Sequence, residues 1–206
     1  MITGSATADA EVKLDFYVMS YCPYGNQAEE AIEPVYRLLK DKVQFNPHYV
    51  IYQNYRGGIQ DYCIADGKYC SMHGIQELNQ DIRELCVAKH IGMDEYFDFI
   101  LEMNEKCNYQ NADICWEQVA KDLKIDITKI KSCKEKEGVE LAANEFRLNQ
   151  QLGVSGSPAV FINGIEHNGQ RTPQSYLDAV CSKFAGKPDE CSQKLAGATA
   201  ATGGCG

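Results

Sequence analysis

Val12-Lys-Leu-Asp-Phe-Tyr-Val-Met-Ser-Tyr-Cys22-Pro-Tyr-Gly25 alternates apolar with polar side chains, then turns continuously apolar before it meets a cysteine and a proline. Alternation marks a strand with one buried face, and an unbroken apolar end marks burial on both, so residues 12–19 read as a strand entering a core. Downstream, Ala28, Ala31, Ile32, Val35, Leu38 and Leu39 recur at helical spacing over 27–40, with Pro34 as a kink site. A second strand is expected over about 44–52. Strand, turn, helix, strand is the opening of an α/β domain.

Cys22 therefore stands where a strand hands over to a helix. Unpaired backbone N–H groups and the positive end of the helix dipole favour thiolate there, and thiolate is the nucleophile of disulfide exchange. An inert buried thiol is the competing reading. Pro23 in the first turn and polar Asn26 and Gln27 behind it favour an exposed, reactive helix start.

Working outward, the chain has 206 residues, 29 acidic against 20 basic, and a net charge of −9. Its 44% hydrophobic content supports a packed core and excludes intrinsic disorder as the general state. The acidic balance, without clustered Lys and Arg, excludes nucleic acid as the main partner. The longest uncharged internal run, 148–165, contains several Asn and Gln, three Gly and a Pro, so no transmembrane segment is read.

Ten cysteines are the compositional outlier. No C-x-x-C pair occurs, and His48, His73, His90 and His167 are scattered without zinc-ligand spacing, so no metal site and no cofactor is expected. Disulfides then imply an oxidising, extracytoplasmic compartment: periplasmic, cell-surface, secreted or lysosomal. Residues 1–10 lack a basic start and an apolar run, which reads as a leader already removed.

Residues 53–70 are loop-like. Helical periodicity then predicts about four helices between 74 and 136 and another over about 138–151, a helical block inserted at about 57–136. After Gly153-Val-Ser-Gly-Ser-Pro158 come an apolar strand over 159–162, an Asn163-Gly164 turn of type I′ and a short strand to His167. Thr172-Pro173 caps a last helix over 174–184. Residues 1–11 are expected to be disordered, 12–191 to form the domain, and 192–206, rich in Gly and Ala, to be a flexible tail. His73-Gly74 reads as a turn and helix start, and Trp116, Tyr96, Phe97 and Phe99 as core.

Eight cysteines in and around the helical block allow 105 connectivities. Short turn-bearing loops favour Cys63–Cys70, Cys107–Cys115 and Cys181–Cys191, which leaves Cys86 with Cys133. Cys22 and Cys205 are left over.

Strand, Cys-Pro-Tyr-x, helix, strand, and far downstream a Ser157-Pro158 before a hairpin and a final helix, resemble the thioredoxin fold; the helical insertion is similar to Dsb-type oxidoreductases. The run Cys70-Ser-Met-His73-Gly74-Ile-Gln-Glu77, then Cys86, Cys115 and Cys133, and the closing Cys181-Ser-Lys-Phe-Ala-Gly-Lys-Pro-Asp-Glu-Cys191 resemble the gamma-interferon-inducible lysosomal thiol reductase family. The resemblance implies a thiol–disulfide oxidoreductase acting on protein or peptide disulfides, with a membrane redox partner as a candidate. Cys22, Pro23, Tyr24, Gly25 and Pro158 would form the catalytic motif, and Tyr21 and Ser157 would contact substrate. Pro158 would follow a cis bond, with the Ser157 backbone pairing with an extended peptide. Gly25 is the main departure, because these families carry a second Cys or a Ser there to resolve the mixed disulfide. Cys205 is a candidate resolving thiol: 14 residues beyond Cys191, its reach is roughly 20 Å. The alternatives are a plain spacer for the tail and, for the whole protein, a non-redox peptide-binding or chaperone-like module.

Overall fold

The central strand explains why the opening stretch is so apolar. In the computed structural model, which describes residues 12–197 and 203–206, β1 (Val12–Val18) lies between β2 (Val43–Tyr49), parallel to it, and β5 (Ala159–Ile162), antiparallel. Both faces of β1 are covered, so Leu14, Phe16, Tyr17, Val18 and Met19 are all buried. The second strand stops earlier than periodicity suggests, and Tyr52 pairs with Cys70 instead. β6 (Ile165–Glu166) completes the order β2-β1-β5-β6. Asn163 and Gly164, at φ 50° and 74°, make the tight turn between β5 and β6 with the two positive φ values a type I′ turn needs.

α1 (Pro23–Leu39) leads from β1 to β2, and α6 (Pro173–Cys181) packs beside it, its start capped by Thr172 accepting from Ser175 N. Between β2 and β5 lie a small hairpin, β3 (Cys63–Ile64) and β4 (Tyr69–Cys70), and the helices α2 (Ile75–His90), α3 (Met93–Lys106), α4 (Ala112–Asp122) and α5 (Ile127–Leu152). This is an α/β thioredoxin-like architecture with a helical insertion, as the sequence pattern implied.

One expected break is absent. The two segments read as ending near 136 and starting near 138 are one helix, α5, running through Gly138. A Cβ there would lie 3.2 Å from the Ile82 side chain, so the glycine serves close packing of α5 on α2 rather than termination. Four disulfides tie the insertion and the last helix: Cys63–Cys70, Cys107–Cys115 and Cys181–Cys191, the pairs that short loops favoured, and Cys86–Cys133, the pair left by elimination. A fifth joins Cys22 to Cys205 across 183 residues. These are the two cysteines outside the four structural pairs, the ones the sequence offers as nucleophile and candidate resolving thiol.

Candidate functional site

Pro23 opens α1, so Cys22 is its N-cap residue, and the Cys22 carbonyl accepts the first-turn bond from Asn26 N at 3.0 Å. The cysteine sits over an apolar floor of Tyr17, Met19, Val50, Val154 and Phe161. It is fully buried, where an exposed helix start was expected, because residues 203–206 lie on top of it and Cys205 is bonded to it.

The loop before β5 supplies the other wall. The Ser157–Pro158 bond is cis, and Cys22 Sγ lies 3.5 Å from the Ser157 carbonyl oxygen. Ser157 and Cys205 form an antiparallel bridge: Ser157 N donates to Cys205 O at 2.7 Å and Cys205 N to Ser157 O at 2.9 Å. The stretch read as a flexible tail thus ends, over 203–206, as an extended segment pinned in a groove. Arg171 Nη1 donates to the Gly203 carbonyl, and Tyr24 packs against Gly203. A cleft of about 450 Å³ continues beside the segment, with Val154, Ser155, Pro158, Phe161 and Glu166 among its walls.

Gly25 also faces this point. A Cβ on it would stand 2.6 Å from Ser157 Oγ and 3.2 Å from the Met19 carbonyl, and Ser157 Oγ accepts from Met19 N at 3.0 Å. The position where a second cysteine would stand is filled by a hydrogen-bonded serine side chain. Tyr21, expected near substrate, has its hydroxyl buried without a partner among the described residues, while its N–H donates to Glu77 Oε1 at 2.9 Å.

That last bond belongs to a feature sequence reasoning missed. Glu77, Asp81 and Glu84 recur on one face of α2 and are all buried beneath residues 20–21. Ser20 Oγ donates to Asp81 at 2.6 Å, and Tyr49 and Gln80 donate to Glu84. Burial pushes the Asp81 carboxyl well above its usual range, with nearby Glu77 and Glu84 adding to it, and lifts Glu84 to about 7. Glu29 of α1 is buried and raised in the same way, and Asp81 Oδ2 and Glu29 Oε1 have no hydrogen-bond partner among the described residues. His73 bonds Glu77 at 2.8 Å and is held more basic by it. Acids interleaved with Leu78, Ile82 and Leu85 were the available sign, since that spacing puts charge on a core-facing stripe.

For a metal, the described residues offer one suitably spaced trio, His90, Cys133 and Glu137, in which the Cys133 sulfur is committed to a disulfide. Among the described residues no helix is long and apolar enough to cross a membrane.

Comparison with known proteins decides the family. Residues 22–181 match the vacuolar sorting receptor thioredoxin-like domain. The chain belongs to that family. Vacuolar-sorting receptor 7 of Arabidopsis thaliana is 24% identical, with 59% of this chain and 24% of that protein covered, so the chain spans about a quarter of that relative's length. Among solved structures, reduced DsbA from Mycobacterium tuberculosis matches with TM-score 0.60 and 16% identity over 93% of this chain and 92% of that one. Oxidised BdbD from Bacillus subtilis matches with TM-score 0.60 and 17% identity over 86% and 89%. At such identities the likeness is one of fold. The resemblance read from the cysteine pattern reached that fold, but the family matched is the sorting-receptor domain rather than the lysosomal thiol reductases. The family match begins at Cys22 and ends at Cys181, so residues 203–206 fall outside it.

Proposed function

We propose that this sorting-receptor-type thioredoxin-like domain carries out thiol–disulfide exchange on protein or peptide cysteines in an oxidising, extracytoplasmic compartment, with Cys22 as the reacting sulfur and Cys205 as its resolving partner. The observation that carries the reading is the Cys22–Cys205 bond at the start of α1, beside the Ser157–Pro158 backbone. When that bond opens, the helix start favours Cys22 as the thiolate. The thiolate attacks one sulfur of a substrate disulfide, the other sulfur leaves as thiolate, and Cys205 then attacks the mixed disulfide at Cys22, releasing reduced substrate and restoring the pair. Two electrons pass to the substrate, and a thiol reductant must return them. Five disulfides fit the compartment.

The test is reduction of a disulfide-bridged reporter peptide with glutathione as recycling thiol. Cys22→Ser is expected to bring turnover to the uncatalysed rate. Equal turnover in variant and wild type overturns the reading.

A second reading, peptide binding without turnover, is favoured by Gly25, whose place for a second thiol Ser157 fills, and by the relative's designation as a sorting receptor. Under it, Cys205→Ser would capture peptides non-covalently and Cys22→Ser would bind them equally well.

A further inference from the structure

Residues 203–206 enter the groove as a foreign peptide would: one cysteine on Cys22, two backbone hydrogen bonds to Ser157, and an arginine on the carbonyl two residues before. Their approach is backbone to backbone. Gly203 and Gly206 hold φ values of 153° and 133°, which side-chain-bearing residues seldom adopt. A Cβ on Gly206 would lie 2.5 Å from the Ser155 carbonyl and 2.6 Å from Gly156 Cα, and one on Gly203 would enter the Tyr24 ring. The groove wall is matched to this, since a Cβ on Gly156 would lie 2.8 Å from the Cys205 carbonyl.

We propose that residues 203–206 are a tethered substrate mimic, and that the groove they fill is a binding site for extended peptides bearing a cysteine with glycine two positions before it and one after. Oxidation of Cys22 and Cys205 closes the site with the protein's own copy, and reduction opens it. Only the opening and exchange steps rest on the function proposed above; the occupancy and the glycine rule rest on backbone geometry.

A dithiol reductant opens the pair in two exchange steps. Cys22 is fully buried and Cys205 half-buried, so one thiolate of the dithiol attacks Cys205 Sγ. The Cys22–Cys205 bond breaks with its electron pair on Cys22 Sγ. The second thiolate then attacks the dithiol's own sulfur in the mixed disulfide, closing the dithiol into a disulfide and releasing Cys205 as thiolate. Two electrons have moved from the dithiol to the pair. The segment then keeps its hydrogen bonds without its covalent anchor, and a competing peptide can displace it.

The experiment has two arms on the full chain. In the first, the Cys22–Cys205 pair is titrated against dithiothreitol and read by alkylation and peptide mass spectrometry. Gly203→Ala and Gly206→Ala are expected to shift the equilibrium toward the reduced pair by about tenfold or more, because an L-residue there is both strained and clashing. Gly186→Ala, whose Cβ meets open space, should titrate as wild type. Groove variants that titrate as wild type overturn the proposal. In the second, Cys205→Ser is mixed with acetyl-Gly-Gly-Cys-Gly-amide or acetyl-Ala-Gly-Cys-Ala-amide, each activated as a thionitrobenzoate mixed disulfide. The glycine peptide is expected to react about tenfold faster, and equal rates overturn the glycine rule. If neither peptide reacts while the titration shift is present, the exchange function falls and the occupied groove stands.

Discussion

A thiol at position 25 would share space with Ser157 Oγ, and Ser157 is itself fixed by the bond from Met19 N. Gly25 is thus part of a fitted pair, and the pair can be tested by stability. Gly25→Ala removes a flexible glycine from the first turn of α1, where alanine usually stabilises by about 1 kcal/mol. Here the overpacking cost of about 1–3 kcal/mol should win. Urea denaturation should give a lower midpoint for Gly25→Ala, and the loss should shrink in the Gly25→Ala/Ser157→Ala double variant. Additive losses would show that the two side chains do not meet. His48 is a second residue whose surroundings set its state. Burial opposes its charge, but bonds to Asp15 and Glu145 outweigh burial and lift it to about 9. The stability it contributes is full below the unfolded imidazole value of about 6.5 and is lost as pH rises toward 9.

At the scale of elements, the acidic face of α2 has a consequence of the same sign. In the unfolded chain these carboxyls titrate near about 4. In the folded protein burial raises Asp81 and Glu29 well above that and Glu84 to about 7. Between those values the folded state holds more protons than the unfolded one, so stability falls as pH rises. The urea midpoint should therefore decline from pH 5 to pH 8, and Glu84→Gln, which keeps the side-chain shape without the titrating carboxyl, should flatten the decline below pH 7. A midpoint that rises over this range would contradict the buried protonated acids. α5 supplies a test of packing. Gly138 touches Ile82 of α2, so Gly138→Leu should destabilise by about 1–3 kcal/mol despite leucine's better helix propensity. Gain of stability by urea melt would mean that α5 does not approach α2 this closely.

For the whole molecule, the Cys86–Cys133 bond joins α2 to α5 across 47 positions of sequence. In the chain-entropy account a loop of that length is worth on the order of 4 kcal/mol. Cys86→Ala/Cys133→Ala should lower the unfolding free energy by that order, well beyond the effect of removing Cys107 and Cys115, which close a loop only 8 positions long. Comparable losses for the two would argue that local strain and packing, not loop closure, set the difference.

Much of the architecture was legible because it is local. The alternation over 12–19, the helical repeat after Cys22, the Asn163-Gly164 turn and the Thr172-Pro173 cap each act within a few residues, and each produced its element. The reading failed where a distant neighbour overrides the local preference. The helical repeat was divided between 136 and 138, where α5 runs on, because nothing in the local sequence reveals that Gly138 packs toward Ile82. Residues 203–206 read as flexible because glycine-rich chain has no intrinsic order, and it is held by distant groups: the Ser157 backbone, the Cys22 sulfur and Arg171. Sequence by itself determined the α/β order, the helical insertion, the disulfide-rich character and the place of Cys22 at a helix start. Tertiary structure alone decided what covers Cys22, why position 25 is glycine and which acids lie beneath residues 20–21. Those are contacts between segments 56 to 183 residues apart, chosen by shape and hydrogen-bond complementarity that no local pattern encodes.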